Sequence, residues 1–520
     1  MGDSFFIGTA MVLYIGIILG IGLYFARRAN QSTEEFFIGG RSLGPWVTAM
    51  SAEASDMSGW LLMGLPGLAY FTGLADAFWT AMGLGIGTYV NWLVVARRLR
   101  IYSIVAGDSI TVPDYISQRF RERTPILMTT SAVFILIFFT VYAASCFVTV
   151  GKLFSSLFAM PYIPMMIAGG VFVVFYTAVG GFLAESVADF FQAIIMIIAL
   201  CMVLGLGLYH VGGVEQAIAN AKNIPGFFEF FGLATPVMEN GKQVLQDGQP
   251  LFADRTPYGF ISVISMLSWG LGYFGVPQVL LRFMAIRSTE EIKMSRRIAT
   301  VWVFISLLSA VSIGIIGRDL MPDALLTPSS AESIFIVMSR SMVPPFLAGF
   351  IMAGILAATI SSSDSYLLIS ASAVAKNIYK GILRKNASEK EILVVTRIVL
   401  ISISIIAMFL ASNENSVIFN IVSFAWAGFG AAFGPVILTS LFWRRTSRNG
   451  ALAGMIVGGG TVMVWNMLQA KFGGIFDIYE LLPAFILALL TIVVVSAFDT
   501  NEPGIEHDYD LYLAELKDAK

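Results

Sequence analysis

Of 520 residues, 57% are hydrophobic and 13% charged, and the mean hydropathy of +0.80 lies outside soluble globular usage, so the chain reads as a polytopic membrane protein. A formal net charge of -2 leaves no basic footprint for nucleic acid. Two histidines, His210 and His507, offer neither a metal cluster nor a proton relay, and Cys146 and Cys201 sit in apolar runs as small hydrophobes rather than a disulfide.

Apolar runs long enough to cross about 30 Å of hydrocarbon occur at residues 5–25, 43–72, 76–96, 126–156, 162–182, 186–209 and 258–284. Six more follow at 298–318, 343–375, 392–411, 416–442, 450–469 and 478–498, which predicts thirteen membrane-spanning helices. The start of the chain carries neither a basic region nor a small-residue cleavage site, so the first run is expected to be retained as a span. Basic residues favour cytoplasmic connections. They gather at Arg27, Arg28 and Arg41, then from Arg97 to Arg123, Arg282 to Arg297, Lys376 to Arg397 and Arg444 to Arg448. That pattern predicts a multi-pass protein of the plasma membrane, in contact with lipid, with the N-terminus outside and the C-terminus cytoplasmic. The stretch from His210 to Pro257 is then external, either a small folded cap or a mobile loop. The acidic tail after Asp499 reads as a short cytoplasmic helix. Gly450, Gly454 and Gly458 stand four apart, a spacing that permits close helix contact.

Polar groups are costly at bilayer depth and mark functional sites by default. The run SAEASDMSGWLLMGLPG, Ser51 to Gly67, carries two carboxylates and three serines inside a span. Ser55, Ser58 and Gly59 around Asp56 favour an interrupted helix whose freed carbonyls and amides face a polar guest. The alternative is a kinked, continuous helix whose Asp56 pairs with a neighbour. Five runs later SMLSWGLGYFGVP, Ser265 to Pro277, holds Gly270, Gly272, Gly275 and Pro277. Matched interruptions an odd number of spans apart point to inverted repeats, although glycine and proline are frequent in any membrane helix. The repeats would cover 43–209 and 258–442, separated by 210–257 and flanked by 1–42, 443–498 and 499–520. AATISSSDS, Ala357 to Ser365, offers hydroxyl oxygens to a hard cation, while serines equally bond back to the preceding helical turn. Asp364 lies further toward the cytoplasmic end and reads as a solvated vestibule residue or part of an ion exit.

GGRSLGPW at Gly39 to Trp46, SDMSGWLLMGLPG at Ser55 to Gly67, WGLGYFGVP at Trp269 to Pro277 and FAWAGFGAAFGP at Phe424 to Pro435 resemble the sodium:solute symporter family, and its proline-transporting branch most. RNGALAGMIVG at Arg448 to Gly458 and the stretch from Gly180 to Gln192 extend the resemblance over nearly the whole chain. It implies an all-α fold of thirteen transmembrane helices with a LeuT-type five-plus-five inverted-repeat core. It also implies sodium-coupled import of L-proline or a close amino acid by alternating access, with no obligate protein partner. By that resemblance, co-transported sodium is held by backbone carbonyls of Ala54, Met57 and Ala358 and by the hydroxyls of Ser361 and Ser362. Ser362 stands where the proline branch has threonine and keeps the oxygen. Asp56 and Asp189 would serve ion coupling. Trp60, Tyr142, Trp269 and Tyr273 would line the substrate pocket, where aromatic faces suit a compact, charged pyrrolidine ring; core packing or an interfacial girdle is the plainer reading of each aromatic alone. Glu53 departs from the small residue expected there, so two carboxylates crowd one turn, or Glu53 snorkels into a vestibule. The 210–257 loop is also longer than the resemblance predicts.

Three rivals remain at this level. A proton-driven transporter on the same scaffold would use Glu53 or Asp56, and a sensor would bind solute without moving it. An intramembrane enzyme is disfavoured, because no histidine-bearing catalytic set or nucleophile motif is present.

Overall fold

A computed structural model describes residues 2–29 and 31–518. The chain starts with α1 (Asp3–Ala29) and the short α2 (Thr33–Ile38), then α3 (Pro45–Asp56) and α4 (Leu65–Thr72), joined through a π-helical turn at Trp60–Gly64. Next come α5 (Leu74–Val94), α6 (Ala96–Val105), α7 (Val112–Arg119), α8 (Ile126–Phe158) and α9 (Tyr162–Val211). After α10 (Val214–Lys222) and a stranded segment, α11 (Phe260–Leu267) leads through a 3-10 stretch, Ser268–Phe274, into α12 (Pro277–Ala285). The rest is α13 (Ile292–Leu320), α14 (Pro328–Ala331), α15 (Ile334–Met342), α16 (Pro345–Ser372), α17 (Glu389–Leu410), α18 (Ile418–Phe442), α19 (Arg448–Phe472), α20 (Leu481–Phe498) and α21 (Ile505–Asp518).

Among the described residues, 9 helices are long and apolar enough to cross a membrane, or up to 11 when each bent pair counts as one span. The bent pairs are α5 with α6 (44°) and α11 with its 3-10 extension against α12 (42°). Helix α9 has 50 residues; straight, it would run about 75 Å, more than twice the hydrocarbon core. It turns instead at Gly181 (φ 66°, ψ 178°), a conformation that a side chain resists. Both its ends meet one rim. Tyr162 donates to the Ala411 carbonyl at 2.7 Å beyond α17, while Asn220, just past the other end, bonds Asp319 at 2.7 Å. Lys152 bridges these neighbourhoods through Ser329 and Ser416.

Helix α16 is the centre of the bundle. It packs on α9, α8, α1 and α3 and is buried over most of its length, whereas α1, α19 and α20 are buried over only about a third of theirs and lie at the periphery. The glycines of α19 pack inward, Gly454 against Ile492 of α20 and Gly458 against the Ala431 backbone of α18.

The 210–257 segment is folded as a cap, the first of the two alternatives the sequence leaves open, and it carries the strands found among the described residues. Three two-residue antiparallel pairings form, Gly232–Leu233 with Thr256–Pro257, Met238–Glu239 with Lys242–Gln243, and Leu245–Gln246 with Gln249–Pro250. The Gln243 amide donates to the Leu326 carbonyl (2.7 Å), Trp79 to the Phe230 carbonyl (2.8 Å) and Tyr258 to Asp76 (2.6 Å), so the cap is tied down at several points. The tail helix α21 docks too. Tyr512 stacks on Tyr102 with centroids 4.3 Å apart, and Asp508 pairs with Arg121 at 2.6 Å.

Several basic residues are interior, both ones the sequence clusters assign to cytoplasmic connections, Arg282 and Arg119, and ones lying within the predicted runs 126–156 and 298–318, Lys152 and Arg318. Arg282 and Arg119 are buried on one side of the bundle, and Arg318 and Lys152 on the other, each engaged by carboxylates, carbonyls or rings. Asp364 is likewise 0% exposed, which rules out the solvated vestibule position. Glu53, at 1%, does not snorkel.

Candidate functional site

The first interruption falls where the serines and glycine stand. Asp56 is the last residue of α3; Met57 leaves the helix (φ -84°, ψ 71°) while its amide still bonds the Glu53 carbonyl at 2.8 Å. Gly59 lies so close to Thr149 of α8 that a Cβ would overlap it. The second interruption runs from Ser268 to Val276, and Pro277 restarts the helix at a position where its missing N–H costs nothing. Gly270 faces the Gly83 and Gly87 backbones of α5, and Gly272 abuts the Trp426 indole, so small residues let the broken segment lie deep in the bundle.

The two interruptions meet at Asp56. Tyr273, from the second, donates to Asp56 Oδ2 at 2.8 Å. Tyr142 of α8 and the Trp60 indole both donate to the Asp56 carbonyl, at 3.2 and 3.3 Å. Trp60 lies 6.2 Å from Trp269, which stacks on Tyr479 at 5.0 Å. All four predicted pocket aromatics are at most 2% exposed, so the cluster is sealed from solvent. The structure adds Trp426, whose indole donates to the Trp269 carbonyl (2.8 Å), and Tyr366, 4.2 Å from Tyr142. Trp426 was visible in the FAWAGFG run; Tyr366 carried no signal beyond its place after the serines.

On the other face of the first break, α16 comes against α3. Ser361 Oγ donates to the Ala54 carbonyl at 2.8 Å and to the Ala358 carbonyl at 3.1 Å, and Ser362 Oγ reaches Ala54 O at 3.2 Å. Four of the five predicted cation ligands thus converge, and Met57 is the next residue of the break. In this arrangement the hydroxyls bond the same carbonyls with which they would share a cation. A cation entering between them needs the hydroxyl hydrogens turned away and the oxygens drawn apart, and the lone pairs and carbonyls it would then meet suit a hard ion.

Asp189 lies a turn along α3 from that cradle. It accepts from Ser51 at 2.7 Å and pairs with Arg282 at 3.2 Å. Arg282 also pairs with Glu185 and bonds Ser365 at 2.8 Å. Sequence reasoning missed both Glu185 and Arg282. Glu185 precedes Asp189 by four residues and so shares its helix face, which was a usable signal; Arg282 had been grouped with loop residues. Glu53 stands apart from this cluster, accepting from the Trp92 indole at 3.1 Å. On the opposite rim Lys152 pairs with Glu332 at 2.9 Å, and Glu332 accepts the Ile418 and Phe419 amides at the start of α18. Burial raises the Glu332 carboxyl above its ordinary range, and Lys152 with the two amides draws it back.

A helical membrane protein whose two interrupted helices enclose a buried carboxylate, an aromatic cluster and a carbonyl–hydroxyl cradle has the make-up of a secondary transporter. The family model of the sodium:solute symporter family matches residues 36–458. The chain belongs to the sodium:solute symporter family. It is 40% identical to sodium/proline symporter 2 of Staphylococcus saprophyticus, over 96% of this chain and 94% of that one. It is 43% identical to the high-affinity proline transporter PutP of Bacillus subtilis, over 91% and 94%. It is 40% identical to the osmoregulated proline transporter OpuE of the same organism, over 94% and 96%. The fold is that of a Na+-coupled sialic acid symporter solved in a substrate-bound outward-open state, with TM-score 0.76 at 18% identity over 96% of this chain and 99% of that one. MHP1, a nucleobase-cation-symport-1 family transporter, gives TM-score 0.53 at 12% identity over 92% and 98%.

Proposed function

We propose that this protein imports L-proline, driven by sodium, by alternating access around the Asp56 break. The observation that carries the reading is the junction of α16 with the broken helix, where Ser361 and Ser362 meet the Ala54 carbonyl. Relatives about 40% identical over nearly their whole length bear the names of sodium/proline symporters and proline transporters. Sodium is coordinated by the carbonyls of Ala54, Met57 and Ala358 and the hydroxyls of Ser361 and Ser362, which clamps α3 against α16. Proline binds among Trp60, Tyr142, Trp269 and Tyr273, with Asp56 holding the first break in register.

Thirteen spans complete the architecture. To the nine long helices and two bent pairs among the described residues are added two units built on the shorter apolar segments Trp60–Thr72, which α3 extends, and Tyr162–Ala178, the first limb of α9. The repeats cover 43–209 and 258–442, with the N-terminus outside and the C-terminus in the cytoplasm, a direction that the gathering of basic residues in alternate connections supports. The rim of the 210–257 cap is then external. The side of α3 and α12 that carries Ser51 and Arg282 faces inward.

The driving force suffices. One sodium ion moving through 100 mV gains about 2.3 kcal/mol, and a tenfold gradient adds about 1.4 kcal/mol, together enough for a proline ratio of a few hundred. The test is proline uptake into vesicles of purified protein under imposed ion gradients, with competition by a panel of amino acids. Sodium-driven uptake blocked by excess proline is expected; undiminished uptake without sodium overturns the coupling, and a proton gradient in its place would favour a proton-driven carrier using Glu53.

A further inference from the structure

We propose that Arg282 is the latch of the inner gate and that Glu185 is the carboxylate that closes it. The inference rests on the orientation and cation cradle proposed above. Arg282 stands on α12 and Ser51 on α3, the inward halves of the two interrupted helices. Glu185 and Asp189 stand on the second limb of α9, and Ser365 on α16. A single guanidinium joins all four helices: its Nε bonds Ser51 Oγ at 3.0 Å, and its Nη2 bonds Ser365 Oγ at 2.8 Å, Asp189 Oδ2 at 3.2 Å and Glu185 Oε1. The Phe182 ring lies under it at 4.9 Å. None of these charged groups is more than 3% exposed.

Ions this deep persist only as partners, and pulling them apart without water is prohibitive. Inward opening has to move α3 and α12 away from α9 and α16, so it cannot proceed while the arginine is in place. The latch also senses the cation cradle. Ser365 donates to the Ser361 carbonyl at 3.1 Å and to Glu185, and Ser361 in turn bonds Ala54. Ser361 and Ser365 stand one turn apart on α16, so a shift of that helix on sodium release would move the cradle hydroxyl and the guanidinium's partner together. Glu185 Oε2 and Asp189 Oδ1 accept no hydrogen bond in the closed arrangement. Water entering from inside hydrates them at once, so the latch has two stable settings rather than a graded one.

The test is hydrogen–deuterium exchange of the full chain in lipid nanodiscs, alongside sodium-driven uptake. Glu185→Gln keeps the shape and removes the charge. It is expected to raise exchange across 277–285 and 45–51 about fivefold while leaving 60–72 unchanged, and to slow uptake about tenfold with the KM for proline moved less than about threefold. Arg282→Lys should fall between parent and Glu185→Gln. The double change E185Q/R282Q should be no worse than R282Q alone, because both remove one interaction. If Glu185→Gln does not fold, Ser365→Ala removes one tie and no charge and should give the same localised rise on a smaller scale. Exchange in 277–285 like the parent's, or a rise equally large in 60–72, overturns the latch. Exchange is read without any substrate, so a parent that fails to move proline defeats the transport reading and leaves this test standing.

Discussion

Asp56 does two jobs with two different oxygens. Its carboxylate takes the Tyr273 hydroxyl and its carbonyl takes Tyr142 and Trp60, so one residue registers both interrupted helices and α8. Tyr273→Phe removes only the hydroxyl. A buried acceptor left without its partner costs about 1–3 kcal/mol, and proline affinity should fall about tenfold in a binding titration. Replacing Ser361 and Ser362 together by Ala deletes two cradle oxygens but no apolar contact. The sodium concentration for half-maximal uptake should rise about tenfold with insertion intact, while the Ala54 carbonyl, stripped of both hydroxyl donors, should cost about 1–3 kcal/mol and lower the thermal midpoint as well. Trp60→Ala should weaken proline binding more than sodium binding, since the ring packs on Trp269 and not on the cradle. At this scale the serines and Asp56 were legible because hydroxyls and a carboxylate in hydrocarbon are anomalous by type. Glu185 and Arg282 were legible as residues but not as a pair.

The interrupted helices depend on close backbone approach. A Cβ at Gly270 would fall on the Gly83 carbonyl and within 3.2 Å of Gly87 Cα, backbone that has no side-chain freedom to yield. Gly270→Ala should lower the thermal midpoint by several degrees and abolish uptake, as overpacking costs about 1–3 kcal/mol. Gly205→Ala, with nothing within 4 Å, is the control that should change neither. The tail helix invites a similar comparison. Arg444–Asp510 is about half exposed on both sides, whereas Tyr512 is 0% exposed and stacked on Tyr102. Exposed ion pairs contribute about 0–1 kcal/mol, and an aromatic pair adds about 0.5–1.5 kcal/mol beyond its buried area. Tyr512→Ala should therefore destabilise α21 docking, read by protease sensitivity of the tail, more than Asp510→Ala. The breaks themselves were readable from glycine, serine and proline placement. The bend between α5 and α6 was not, because ARRLRIYSIV has a helix-forming composition and its angle is set by what it packs against.

At the scale of the molecule, Arg282 with Glu185 and Asp189 holds one end of the bundle and Lys152 with Glu332 the other, and the site between them is buried from both. That arrangement suits a carrier that must never be open at both ends. If one sodium accompanies each proline, raising the inside-negative potential by 100 mV should raise the steady-state accumulation ratio about fiftyfold, the equivalent of about 2.3 kcal/mol; a ratio independent of potential would show an electroneutral cycle. The sequence alone determined the apolar runs, the places where two of them are interrupted and the polar atoms available there. It could do so because a bilayer tests each segment separately, for length and for the cost of its polar groups. Tertiary structure decided which basic residues face water and which are interior, that α9 turns back at Gly181, and that the loop after it folds as a cap. It also decided that Arg282 reaches Glu185 across 97 residues of chain. Such pairings are set by the distance between helices after they pack, and no local pattern of residues encodes that distance.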